Sequence, residues 1–91
     1  MYHRLFKSFE SQEYKLRYPL TLEVTKDGKF VFVRDRTTGN YGHGVDLPAA
    51  LSDFEACLLD LYDCYVNDHD DNLTLDARQF KRLLAALIEE L

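Results

Sequence analysis

Strict alternation over the first third of the chain limits most strongly what it can fold into. Tyr14, Leu16, Tyr18, Leu20, Leu22 and Val24 take every second position between Glu13 and Thr25, with Lys15, Arg17, Thr21 and Glu23 among the residues between them. Period two is the repeat of a half-buried strand, because successive side chains leave opposite faces. Pro19 lacks the N–H a ladder needs, so this strand is either an edge at that point or begins properly just after it. Lys26-Asp27-Gly28-Lys29 then separates it from the aromatic and β-branched run Phe30-Val31-Phe32-Val33, which predicts a β-hairpin.

Two registers fit that hairpin. A two-residue Asp27-Gly28 turn opposes Val24 to Val31 and Leu22 to Val33, sends Phe30 and Phe32 to the other face, and sets Lys26 against Lys29. A three-residue Lys26-Asp27-Gly28 loop aligns Val24 with Phe30 and Leu22 with Phe32, which gathers the large side chains on one side. The second is preferred on that ground. Beyond the turn formers Asp35 to Asn40, Tyr41-Gly42-His43-Gly44-Val45 reads as a short third strand with both glycines on one face, where the missing side chains would let a helix approach the backbone closely.

That helix has a sharp start. Asp46 is a good N-cap, Pro48 is tolerated in the first turn, and Leu51, Phe54, Leu58, Leu61 and Tyr65 recur at spacings of three and four as one apolar stripe. After Asn67 to Asn72, Thr74 can cap a second helix with Phe80, Leu83, Leu84, Leu87, Ile88 and Leu91 on its apolar side. The first ten residues stay open: Tyr2, Leu5, Phe6 and Phe9 are spaced as on a helical face, yet Leu5 to Phe9 could equally pair with the long strand. The fold class expected is therefore α+β, a small antiparallel sheet of three or more strands packed on an amphipathic helix in the order βββα, with a C-terminal helix added.

A chain of 91 residues holds one domain. No apolar stretch approaches the roughly 20 residues that cross a bilayer, and Lys7 breaks the opening Met1-Tyr2-His3-Arg4-Leu5-Phe6 before a leader-like core can form, so a cytoplasmic protein is expected. Cys57 and Cys64, seven apart in one helix, lie about 10 Å apart along its axis, beyond disulfide reach, and should be reduced. The net charge of -5 is unevenly spread: residues 1–40 carry eight Lys/Arg against five acids, and residues 41–91 three against eleven. The acidic half repels phosphate backbones and suits a basic partner.

The segment Tyr18-Pro19-Leu20-Thr21-Leu22-Glu23-Val24, the Asp27-Gly28 turn, Phe30-Val31-Phe32-Val33, and Tyr41-Gly42-His43-Gly44-Val45-Asp46-Leu47-Pro48-Ala49-Ala50-Leu51 together resemble the HicB-like antitoxin domain. Asp46 stands where that family has its helix cap and Ala50-Leu51 where it has an Ala-Leu pair; Pro48-Ala49 replace its usual acidic residues. The resemblance covers about residues 18–66, leaving 1–17 as an N-terminal extension and 73–91 as a C-terminal helix. It implies a partial RNase H-like βββα fold without nuclease chemistry, dimers or larger assemblies, and a role in binding and blocking a small basic RNA-cleaving toxin of the HicA type. Family members usually add a C-terminal DNA-binding motif, whereas residues 73–91 offer one acidic-ended helix with only Arg78, Lys81 and Arg82, so direct nucleic-acid binding is not expected.

Catalytic, cofactor and metal sites are not expected. A two-metal nuclease centre needs converging carboxylates, and Glu23, Asp27, Asp35, Asp53 and Glu55 are spread over hairpin, loop and helix, with 53 and 55 on different helix faces. Asp68, Asp70 and Asn72 start like a calcium loop, but Leu73 replaces its glycine and Gln79 its bidentate glutamate. His43 and His69 lack ligands at zinc spacing, and the Gly39 to Gly44 stretch lacks the Lys-Ser/Thr of a phosphate loop while Asp46 would repel phosphate. The residues expected to engage a basic protein partner are Asp53, Glu55, Asp60 and Asp63, and those expected to support self-association are Phe80, Leu84, Leu87 and Leu91. The second functional expectation is an orphan regulatory or assembly module that self-associates without a toxin.

Overall fold

The computed structural model describes residues 1–91. Six strands and two helices follow in the order β1 (Tyr2–Phe6), β2 (Tyr14–Leu16), β3 (Leu20–Asp27), β4 (Phe30–Asp35), β5 (Tyr41–Gly44), α1 (Leu47–Val66), α2 (Leu75–Leu87) and β6 (Ile88–Glu90), with one 3-10 turn at Asp70–Asn72. The main sheet is antiparallel in the order β1-β3-β4-β5, and α1 covers one of its faces. The fold is thus α+β, as the pattern predicts. No helix is long and apolar enough to cross a membrane.

The alternating run is two strands. The chain breaks at Tyr18-Pro19, so β3 starts at Leu20 with Leu20, Leu22 and Val24 buried, while β2 leaves the main sheet and pairs with β6. The N-terminal question resolves in favour of strand: Tyr2 faces Val24 and Phe6 faces Leu20 across an antiparallel ladder. Phe6 then meets Phe54 edge-on at 5.3 Å, so β1 extends the sheet and adds to its core.

Neither expected hairpin register occurs. Asp27 pairs with Phe30, leaving Gly28-Lys29 as the two-residue loop, and Val24 faces Val33. Gly28 has φ +59° and Lys29 does not share that sign, the pattern of a turn that requires glycine at its first central position. This register sends Phe30 and Phe32 to the solvent face and keeps Val33 beneath the helix. Steric room rules out the register that would set Phe30 and Phe32 beneath the helix. Val33 pairs with Gly42, where α1 lies so close that a Cβ built on the glycine would come within 2.7 Å of the Ala50 carbonyl and closer still to the Phe54 amide. A valine fits under that contact, and a phenylalanine would overpack it.

On α1 the buried positions are Ala50, Phe54, Leu58 and Tyr62, with Leu51, Leu61 and Tyr65 on the margins. The stripe is turned toward Ala50 relative to the expected one because only a small side chain fits between helix and β5. Asp46 caps α1 by accepting from the Ala49 N–H at 2.9 Å, and Thr74 caps α2 by accepting from the Ala77 N–H at 3.2 Å.

The second helix is shorter than its apolar spacing suggests. It stops at Leu87, and Ile88–Glu90 turn into β6, where Ile88 faces Leu16 and Glu90 faces Tyr14. The Arg17 N–H donates to the Leu87 carbonyl and the Leu91 N–H to the Glu13 carbonyl, so the C-terminus is stitched to β2 at both ends. One apolar cluster joins sheet, helices and this small ribbon.

Candidate functional site

The four acids expected to meet a partner do not form one patch. Asp53 and Asp60 lie on the flank of α1 toward β5, on the same stripe as Cys57 and Cys64, as spacings of three and four require. Glu55 and Asp63 lie on the opposite flank. Glu55 accepts the Glu10 and Ser11 N–H groups at 2.7 and 3.1 Å, which fastens the segment after β1 to the helix. Asp63 accepts from the Tyr14 hydroxyl at 2.8 Å, fastening β2. Asp53 accepts the His43 N–H at 2.9 Å, and its carboxylate lies 3.5 Å from the His43 imidazole. Asp60 is exposed, with no hydrogen-bond or ion-pair partner within the chain.

Three of the four therefore brace the structure. Their positions on the helix were legible, but their partners come from residues 10–14 and from β5, far away in sequence.

The self-association set needs a larger correction. Leu84 is fully buried and Leu87 nearly so, both inside the chain's own core, and Phe80 is half-buried edge-on to Tyr65 at 4.9 Å. Only Leu91 stands free. The apolar side of α2 that carries Leu84 and Leu87 packs on α1 and the β2-β6 ribbon. Exposed apolar surface lies instead on the outer face of the sheet, where Leu5, Phe30, Phe32 and Tyr41 project beside His43; the Phe32 and His43 rings stack at 5.9 Å. The preferred three-residue loop puts Phe30 and Phe32 on the inner face; their outward placement agrees with the two-residue alternative, although its pairing does not occur.

A second feature also escaped the sequence. Between β5 and α1 runs a groove of about 470 Å³, lined by Asn40, Tyr41, His43, Asp53, Cys57, Asp60, Leu61 and Cys64. Its floor is mostly apolar and its rim carries the two carboxylates. Burial raises the Cys57 thiol above its ordinary pKa, and the Asp53 and Asp60 charges raise it further, so this thiol is held protonated and is a packing group. The loop that shapes one end of the groove is rigidly built. Asp35, fully buried, accepts from the Thr37 and Thr38 N–H groups at 3.0 Å each and from the Thr38 hydroxyl at 2.7 Å. The Asn40 side-chain amide donates to the Phe54 carbonyl at 2.9 Å, clasping the loop to α1.

The acids considered for metal chemistry are dispersed. Glu23 pairs with Arg36 on the outer sheet face, Asp35 serves its own loop, and no three His, Cys, Asp or Glu side chains are gathered closely enough to share an ion. In the calcium-like loop the cation is the protein's own. The Lys81 ammonium donates to the Asp68 carbonyl at 2.6 Å and to the Asp70 carboxylate at 2.9 Å, and Arg78 donates to the Asp70 carbonyl at 2.8 Å. The Lys81 hydrogen bond and charge hold the Asp70 carboxyl below its ordinary pKa.

The Tyr14–Asp63 contact gives a pH signature. Donating to the Asp63 carboxylate, aided by partial burial, pushes the Tyr14 phenol up to about 12. A raised folded-state value means the contribution is fully present below the ordinary tyrosine pKa of about 10 and is lost as pH rises through the folded value. Unfolding at stepped alkaline pH should show Tyr14→Phe less stable than the parent below that window, with the gap closing across it. A gap that stays constant across the window would mean that the phenol proton is not shared with Asp63.

No protein-family model matches this chain, and searches of curated proteins and of solved structures return no match either.

Proposed function

We propose that this chain is a HicB-like, antitoxin-type binding protein that neutralises a small basic toxin or similar partner by protein-protein contact. The observation that carries this reading is the seat of α1 on β5. Glycines at 42 and 44 draw the helix onto the edge strand and leave beside it an apolar groove rimmed by Asp53 and Asp60. The order β3-β4-β5-α1 agrees with the arrangement the resemblance implies. In this reading the protein acts by occupancy, without catalysis, cofactor or direct contact with nucleic acid. Its place is the cytoplasm, which suits the two free thiols of α1. The acidic C-terminal half speeds encounter with a basic partner, and apolar anchors supply the affinity.

The orphan, self-associating reading is favoured by a different observation, the exposed outer sheet face with Phe30 and Phe32 about 45% and 38% accessible. The two are separated by affinity capture of the tagged protein from its native cell, followed by mass spectrometry and light scattering. Recovery of a small basic protein whose RNA cleavage stops on adding this chain supports the antitoxin reading. Recovery of a homo-oligomer alone overturns it in favour of the orphan module.

A further inference from the structure

The groove between β5 and α1 has a chemistry that narrows its occupant. Asp53 and Asp60 are seven residues apart on one stripe of α1, which separates them by about 10 Å along the axis. Between them on the wall is Cys57, with Leu61 just beyond Asp60, and Tyr41 of β5 borders the other side. A lysine or arginine placed here lays its aliphatic stem on the apolar wall and puts its charge against a carboxylate. Two carboxylates two turns apart match two basic residues two turns apart on a neighbouring helix.

Strand addition is the competing mode at any sheet edge, and β5 is an edge. Here it is blunted. The His43 N–H, which points away from β4, is already donated to Asp53, so an incoming strand would have to displace that bond. A volume of about 470 Å³ lies within the range of ligand clefts but accommodates only a few side chains, which suits one face of a helix lying along the groove.

We propose that this groove receives a basic amphipathic helix of a protein partner, with Lys or Arg at positions i and i+7 meeting Asp53 and Asp60 and small apolar residues of the same stripe resting on Cys57 and Leu61. The inference rests on the basic-partner reading above and specifies where and how that partner binds.

The test uses the full chain and a soluble helical peptide carrying lysine at i and i+7 with alanine and leucine on the stripe between. A control peptide of the same composition moves the second lysine to i+2, on another face. Binding is followed by two-dimensional NMR and fluorescence anisotropy. The amides of Tyr41, His43, Cys57, Asp60 and Leu61 should shift, and the control should bind at least about fivefold more weakly. Asp60→Lys, at a side chain with no internal partner, should retain the native spectrum and lose about tenfold or more in affinity, since like charges then face one another. Shifts confined to the outer sheet face around Thr25 and Phe32, or unchanged affinity in a natively folded Asp60→Lys, would overturn the proposal. Failure here with a toxin still captured by the parent protein removes the groove alone. Peptide binding in the groove with no toxin captured removes the antitoxin reading and leaves the groove standing.

Discussion

Replacing Gly42 with valine is expected to push α1 away from the sheet and to lower the stability of the chain by about 3 kcal/mol or more. Its Cβ would lie within 2.7 Å of the Ala50 carbonyl oxygen and the Phe54 Cα, and the obstructing atoms are backbone atoms of a helix pinned by its Asp46 cap and the Asn40 clasp. Backbone cannot rotate aside as a flexible side chain can. The cost is therefore at or above the upper end for overpacking, about 3 kcal/mol or more. Total stabilities of small domains are only about 5–15 kcal/mol, so this is a large fraction of what holds the protein together. Gly42→Ala should have the same sign with a smaller effect, and urea unfolding followed by circular dichroism measures both. A Gly42→Val protein with the parent's midpoint would mean that helix and strand are not in contact.

Truncating Phe54 to alanine should lower stability by about 3–5 kcal/mol, the range for a fully buried aromatic. Phe54 has no accessible surface, meets Phe6 of β1 edge-on, and sits at the centre of the one apolar cluster. Its loss opens a cavity where the N-terminal strand, the sheet and α1 converge, and the surrounding backbone is too constrained to close it. Leu51→Ala, at a half-buried margin of the same helix, should cost clearly less. Denaturant midpoints for the two variants, at unchanged slope, decide the order; equal losses would mean the stripe faces the sheet through Leu51, as its spacing alone suggests.

That contrast indicates how far the residues could be read. The strand-turn-strand signal, the glycine-thinned β5, the Asp46 and Thr74 caps and the existence of both helices are local features, and they could be placed from nearest neighbours alone. What could not be placed depends on distant partners. Tyr14 to Leu16 alternate in phase with β3, but their strand partner is the C-terminal Ile88–Glu90, whose helical spacing with Leu84 conceals the change of structure. Gly28 can occupy more than one position in a short loop, and the exclusion of Phe30 and Phe32 from the inner face depends on the room beneath α1, a property of the packed molecule. The acids of α1 could be located on their helix, but the roles of Glu55 and Asp63 as fastenings for residues 10–14 depend on where the N-terminal segment crosses. Leu84 and Leu87 read equally well as an interface or as core, and the packed molecule places both in its one apolar cluster.

The groove, the acid pair on its rim and the proposed partner helix all depend on α1 lying directly on β5. The most direct measurement is the set of through-space proton contacts between these two elements in solution NMR. Strong nuclear Overhauser effects from the Gly42 Hα protons to the amide of Phe54, and from Gly44 Hα to the Ala49 methyl, are the predicted result. Absence of both, with Phe54 in contact with protons outside the sheet, would contradict the account.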